Sequence, residues 1–386
     1  VAPSRGLGDV YKRQKENRLI IIIILLTIIL TSLFNTYLKK DYSRVNNETT
    51  DFVSAKVTEV TSSEVEYDNN LDINLGKQVV KVEILEGKSK GKELTIDNYL
   101  TAAHNVEVKT GSRVIISADE PDGIEAYYTV YNFDRELGMI IFTLVLFIAV
   151  ITIGKSKGLK SIIGLAYTLY LVIFLLLPTV FSGYQPIIMS VICAILSTVV
   201  TLMLLNGNSK KTYGAIIATV LGVVLSAICF YLMSEVLKIN GFSSDEAESL
   251  VLINEATNLQ IKDILFAGIL ISSLGAIMDT GMSIVSALFE VYHHQPNLTR
   301  KELFNSGIEI GKDMIGTMTN TLILAFTGSA FVSLLVLFSY NVDVQQLMNS
   351  NYIAIEFAQG IAGTLGIVLT VPIASLIAAT FLVKQD

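Results

Sequence analysis

The sequence predicts an α-helical integral membrane protein that also contains one small all-β domain. Of its 386 residues, 52% are hydrophobic and only 16% are charged, whereas a soluble domain carries roughly 25% charged residues. The charges are unevenly placed, because residues 39–136 hold 12 Lys/Arg and 19 Asp/Glu in 98 positions. Residues 137–386 hold 25 charged residues in 250 positions. One segment therefore resembles a soluble domain, and the longer one resembles a set of membrane spans.

The first predicted span lies near the beginning of the chain. Residues 1–14 resemble translated adapter sequence and are set aside, so the segment 15–38 forms the predicted N-terminal transmembrane anchor. Twenty uncharged residues, 19–38, rise far enough as a helix to cross a hydrocarbon core of roughly 30 Å. Because Lys15 and Arg18 precede this run, a signal peptide is the alternative interpretation, but no A-x-A cleavage signal follows it.

Residues 39–136 predict the β domain. Five runs are rich in β-branched residues or alternate in polarity, and Gly, Asn and Pro turn signals separate them: FVSAKVTEV, QVVKVEIL, KELTID, RVIISA and AYYTVYNF. Five short strands in a segment of this length suit a small barrel of the OB or SH3 kind. The simplest role for such a domain is that of a rigid extracytoplasmic cap, because the fold alone assigns no ligand. The segment is acidic, and it has no row of aromatic residues interleaved with Lys/Arg, so nucleic acid is not an expected ligand.

Residues 137–383 predict seven further spans, which gives about eight in total. Their apolar runs lie near 137–154, 161–181, 186–205, 213–237, 264–289, 315–340 and 353–383. Lys and Arg concentrate in alternate connections, such as KSKGLK (155–160) and NGNSKK (206–211), which predicts that these are cytoplasmic. Both termini would then be cytoplasmic, residues 39–136 extracytoplasmic, and the protein a multi-pass component of the plasma membrane.

Polar residues in two of these spans are the candidate functional residues. At 100° per residue, Asp279, Ser283 and Glu290 fall on one face of span 6, and Gly275 extends the same line. A matching stripe on span 7 contains Glu309, Asp313, Gly316, Asn320 and Thr327, and Thr317 is a further candidate ligand beside it.

Carboxylates inside a membrane are costly to insert, so their presence needs a reason. One interpretation is that they only hydrogen-bond the helices together, and the others are a permeation or coupling site and a catalytic site. We expect the two stripes to line a shared cleft that binds a proton, a cation or a small solute. Gly275, Gly307, Gly311 and Gly316 would permit close helix packing or hinge motion. Span 7 should begin near the T-x-x-E sequence of Thr299 and Glu302, which is typical of a capping box.

No catalytic residue, metal site or cofactor is predicted. Asp279-Thr280-Gly281 matches the triplet of aspartic proteases, but the triplet lies in a helix and does not recur. His293 and His294 are adjacent, so they would point in different directions on a helix, and no H-E-x-x-H or C-x-x-C motif occurs.

The run LGAIMDTGMSIVSALFEV, followed by LFNSGIEIGKDMIGTMTNTLILAFTGS, closely resembles the YibE/F-like family of bacterial membrane proteins. Lys312 stands where the family often has Arg. The resemblance extends over most of residues 19–383 and implies a multi-pass architecture without implying a substrate.

Three functional hypotheses follow. The first is a transporter or permease with a carboxylate-lined cleft between spans 6 and 7. The second is a membrane scaffold, or an accessory protein of the envelope or of secretion, that recruits a partner through its external β domain. The third is an intramembrane hydrolase, which lacks a recognised nucleophile, so an enzyme is the less favoured class. The expected partners are the lipid bilayer, a small solute or ion, and a second copy or paired membrane homologue.

Overall fold

A computed structural model describes residues 20–38, 50–121, 123–239, 242, 250–251, 259–340 and 342–383. The chain divides into two compact units, one formed by residues 43–149 and the other by residues 1–42 and 150–386. The predicted adapter-derived residues 1–14 and the C-terminal residues 384–386, which are predicted to be cytoplasmic, lie outside the described residues. The predicted combination of membrane-type helices with a separate β domain is confirmed.

The β unit is a five-stranded antiparallel sheet. Its strands are β1 (Thr50–Asp68), β2 (Ile73–Ile84), β3 (Glu93–Leu100), β4 (Arg113–Asp119) and β5 (Tyr127–Phe133). They follow the order β3-β2-β1-β4-β5, so β3 and β5 are the edge strands. Each of the five predicted strands is present, and β1 and β2 extend further than predicted to form a long hairpin.

The core of the β unit lies on one face of the sheet, because buried and exposed side chains alternate along each strand. Buried aliphatic side chains from all five strands form this core, among them Val57, Val82, Ile96, Ile116 and Val130. The sheet curls around these residues, and the His104 ring donates a hydrogen bond of 3.0 Å to the carbonyl oxygen of Val130 on β5. The segment that follows β3 is thereby joined to the opposite edge of the sheet.

Seven helices in the described residues are long and apolar enough to cross a membrane. They are α1 (Ile20–Tyr37), α2 (Glu136–Phe181), α3 (Pro186–Asn206), α4 (Lys210–Leu237), α5 (Ile261–His294), α6 (Arg300–Ser339) and α8 (Asn351–Leu382), and a short helix, α7 (Val344–Met348), precedes the last. The capping box at the start of α6 is present: Thr299 Oγ1 accepts from Glu302 N, and Glu302 Oε2 accepts from Thr299 N at 2.9 Å.

Helix α2 is interrupted at Lys155, whose φ of 49° and ψ of −129° are not helical. A Cβ built on Gly158 would lie 2.9 Å from the carbonyl carbon of Val150. Residues that far apart in a continuous helix are separated by about 12 Å. The chain therefore turns back near Lys155, where the sequence predicts a connection between two spans, and the eight predicted spans correspond to seven helices of which one is broken.

Helix α8 packs against α4, α5 and α6 through small residues. A Cβ on Gly366 would lie 2.8 Å from Ser226 Cβ of α4 and 2.8 Å from Ile277 Cδ1 of α5. A Cβ on Gly363 would lie 2.8 Å from Leu322 Cδ2 of α6 and 3.5 Å from Ser273 Cβ of α5. Close approach of this kind is the usual basis of helix association in membranes, where lipid tails are as apolar as leucine.

Candidate functional site

The polar residues of α5 lie on its exposed face. Gly275, Asp279, Ser283 and Glu290 are all exposed. The opposite face of α5, which includes Ile277, Ile284 and Leu288, is fully buried in the helical core. The apolar face of α5 therefore packs against other helices.

The polar residues of α6 are arranged in the same way. Glu309, Asp313, Gly316, Thr317 and Asn320 are exposed. On the other side of the helix, Leu303, Gly307 and Gly311 are buried, and a Cβ on Gly311 would lie 3.1 Å from Val371 Cγ2 of α8.

Both stripes lie on the same side of the α5–α6 hairpin. Gly363 of α8 lies close to Ser273 of α5 and Leu322 of α6, so α8 packs against the pair from one side. The polar residues point away from these contacts. Nine exposed candidate residues therefore lie on the side of the two helices away from α8, and we call them the polar face: Gly275, Asp279, Ser283, Glu290, Glu309, Asp313, Gly316, Thr317 and Asn320. Both stripes are exposed, whereas the sequence led us to expect them to line a shared cleft.

The two aspartates are nearly level along the hairpin. A Cβ on Gly307 would lie 2.9 Å from Leu288 Cδ1, which fixes the register of the two antiparallel helices. The Gly363 contacts give the same register. Counting in opposite directions from Leu288 and Gly307 places Asp279 level with Gly316 and therefore three residues from the level of Asp313. At 1.5 Å per residue, the axial offset between the two aspartates is about 4.5 Å.

The charges on the polar face differ in their partners. Glu309 Oε1 accepts from Lys312 Nζ at 2.6 Å, and Glu290 Oε1 lies 3.3 Å from His294 Nε2. Within the described part of the chain, the carboxylates of Asp279 and Asp313 have neither a hydrogen bond nor an ion pair. The two carboxylates nearer the hairpin tip are thus paired, and the two further from it are free to bind a ligand.

The carboxylates of the polar face contrast with the large apolar side chains that are exposed elsewhere on α6. Further along α6 the large exposed side chains include Leu324, Phe331 and Val332, which suit contact with lipid tails, although small hydroxyl residues such as Thr327 are exposed there as well. Asp279 is at least about 22 Å from either end of α5, which places it deep within a membrane-spanning helix. Because hydrocarbon cannot hydrogen-bond or solvate a carboxylate, the polar face requires water, an ion or protein against it.

The four glycines identified from the sequence fall into two pairs. Gly307 and Gly311 are buried against α8, where only a hydrogen fits. Around Gly275 and Gly316, a Cβ would have no described atom within 4 Å. The second pair therefore leaves space on the polar face next to the aspartates.

One carboxylate that sequence reasoning did not place in the candidate site is Glu356, near the start of α8. It lines a cavity of about 320 Å³ between α6 and α8, together with apolar residues such as Phe326 and Phe357. Glu356 Oε2 is buried and has no hydrogen-bond partner among the described residues. Its one signal in the sequence is a lone acidic residue within the last apolar span.

Groups of three or more His, Cys, Asp or Glu side chains that could hold a metal ion do not occur among the residues placed in the structure. The polar face presents carboxylate, amide and hydroxyl oxygens, which are the ligands that protons and hard cations prefer.

Comparison with known proteins identifies the chain at the level of its family. Searches of curated proteins and of solved structures gave no match. Two family models do match: "YibE/F-like protein" covers residues 142–384, and "YibE/F family N-terminal domain" covers residues 51–132. The resemblance inferred from the sequence is therefore confirmed, and the chain belongs to the YibE/F-like family.

Proposed function

We propose that this protein is a transporter or permease of the plasma membrane, in which the polar face forms part of the path for a proton, a cation or a small solute that accompanies one. Asp279 and Asp313 are the ion-binding groups. Ser283, Thr317 and Asn320 supply neutral ligands beside them. The observation that carries the proposal is the pair of nearly level aspartates, which have no partner among the described residues, on an exposed face of two membrane-type helices.

A structural role alone explains this arrangement poorly. Polar groups that only hold helices together bond across a helix contact and are buried there, whereas these side chains are exposed. Ionisable groups within membrane spans usually line a water-filled cavity or an ion pathway. In the proposed mechanism, a second copy or a paired homologue covers the polar face and encloses the path.

The proposal includes the orientation of the chain. Lys155, Lys157 and Lys160 lie beside the break in α2, and Lys210 and Lys211 begin α4. Under the positive-inside rule these positions are cytoplasmic, as is the α5–α6 connection. The β domain is then outside the cytoplasm, and the protein crosses the plasma membrane several times with both termini inside.

The test is ion flux through the purified full chain in liposomes that contain a pH-sensitive dye, with H⁺, Na⁺, K⁺ and Mg²⁺ gradients imposed in turn. We expect a flux that Asp279→Asn and Asp313→Asn each reduce about tenfold or more, because a hydrogen bond to a charged group contributes about 1.5–3 kcal/mol. Asp263→Asn is the matched control, since it removes a carboxylate from the first turn of α5, away from the polar face.

Equal flux in wild-type protein and both aspartate variants would overturn the assignment. So would an equal reduction in the Asp263→Asn control, which would indicate a general loss of folding rather than the loss of an ion-binding group.

A further inference from the structure

An aromatic groove lies at the open side of the β unit, between the two edge strands. Its volume is about 490 Å³. It is lined by nine residues: Phe52, Asp97, Asn98, Tyr99, His104, Ser117, Thr129, Val130 and Tyr131. This volume is within the range of about 300–1,000 Å³ that is usual for small-ligand sites. Its residues come from β1, β3, β4 and β5 and from the segment after β3, so the groove depends on the folded sheet.

Three aromatic side chains border the groove and are only half covered. Phe52 is 55% exposed, and Tyr99 and Tyr131 are each 54% exposed. Phe52 and Tyr131 pack edge to face, with ring centroids 4.8 Å apart, on the β1–β5 side. Tyr99 stands on β3, where Lys77 Nζ lies 5.4 Å from its ring centroid. Exposed aromatic side chains gathered around one concave surface are typical of binding sites.

The polar groups of the groove are held in fixed positions. Lys77 Nζ bonds to Asp97 Oδ2 at 2.8 Å, which holds the carboxylate beside Tyr99 and neutralises its charge. His104 is fixed by its hydrogen bond to Val130. Ser117 and Thr129 face each other across the β4–β5 pair and supply hydroxyl groups. The groove therefore offers flat apolar rings together with several hydrogen-bonding groups and little net charge.

We propose that the groove binds a neutral carbohydrate chain. A pyranose ring has an apolar face that stacks on an aromatic ring and hydroxyl groups that bond to carboxylate, imidazole and hydroxyl partners, and this groove provides both. A nucleic acid is disfavoured, because single-strand sites combine aromatic platforms with a positively charged groove, and residues 39–136 hold 19 acidic residues against 12 basic ones. The proposal is independent of the ion path proposed for the helices.

The experiment uses the full chain in detergent with maltohexaose, cellohexaose and chitohexaose as probes, observed by saturation-transfer NMR and titration calorimetry. We expect at least one probe to bind, and Tyr131→Ala to weaken its binding by about tenfold, as expected for the loss of an aromatic contact. Tyr131→Phe should keep most of the affinity, because it keeps the ring.

Tyr67→Ala is the matched control, since Tyr67 is 55% exposed in the same unit and lies outside the groove. It should leave carbohydrate binding unchanged. The proposal fails if none of the three oligosaccharides binds at millimolar concentration, if a single-stranded oligonucleotide or an extended peptide competes for the groove while sugars do not, or if Tyr131→Ala and Tyr67→Ala weaken binding equally.

Discussion

Replacing Gly307 by alanine should destabilise the helical unit, whereas the same replacement at Gly316 should not. The two glycines lie on the same helix, α6, and both substitutions add one methyl group. At Gly307 the new Cβ would lie 2.7 Å from Ser375 Cβ and 2.9 Å from Leu288 Cδ1. At Gly316 it would meet no described atom within 4 Å.

The expected difference follows from packing and helix propensity. Forcing a methyl group into a well-packed core costs about 1–3 kcal/mol. Alanine is more favourable than glycine in a helix by about 1 kcal/mol, which is gained at both positions. Gly307→Ala should therefore lower the free energy of unfolding by up to about 2 kcal/mol, whereas Gly316→Ala should raise it by up to about 1 kcal/mol.

Unfolding of the helical unit can be followed through its two cysteines, since the chain has no tryptophan whose fluorescence could report it. Cys193 is buried in α3 and Cys229 is partly buried in α4. A maleimide dye that fluoresces on reaction with thiols will report their exposure as the protein is heated in detergent. A melting temperature for Gly307→Ala equal to or above that of Gly316→Ala would refute the proposed packing of α6 on α8.

Three further predictions concern other parts of the molecule. Hydrogen bonds from Ser89 and Tyr128 hold the pKa of the Glu120 carboxyl below its usual value of 4.5. The stability that they contribute is present above pH 4.5 and is lost as the pH falls through the lower pKa of the folded state. Glu120→Gln should therefore reduce the fall in melting temperature at acid pH, measured by circular dichroism, and an unchanged fall would contradict this. Glu356→Leu should raise the thermal midpoint in the thiol assay, because it removes a buried oxygen that has no hydrogen-bond partner in the described part of the chain, an effect of about 1–3 kcal/mol. A lower midpoint would show that the carboxylate is satisfied. In a background in which Cys193 and Cys229 are replaced by serine, Gly183→Cys should react with a membrane-impermeant maleimide on intact cells and Gly207→Cys only after lysis, whereas the reverse pattern would invert the proposed topology.

The architecture could be predicted from the sequence, because strand alternation and long apolar runs depend on residues that are neighbours in the chain. The five strands, the broken connection at Lys155 and the capping box at Thr299 all depend on residues that are close together in the chain. The helical period also predicted which residues of α5 and α6 share a face.

The sequence did not predict whether the polar stripes are buried or exposed, because this depends on the side from which α8 packs against α5 and α6. Nothing within α5 or α6 indicates that Gly363, more than forty residues beyond Asn320, lies against both helices. The aromatic groove was hidden for the same reason. Phe52, Tyr99 and Tyr131 belong to three different strands, and only the order of the sheet brings them to one surface.

The contact at Gly363 has a consequence for the polar face, although it is buried and lies on another helix. Its missing side chain lets Ser273 and Leu322 approach the same point of α8, which sets how far apart α5 and α6 stand. A larger residue at position 363 would push α5 and α6 apart and increase the distance between Asp279 and Asp313. The spacing of the two carboxylates therefore depends in part on the absence of a side chain at Gly363, on a helix that carries neither of them.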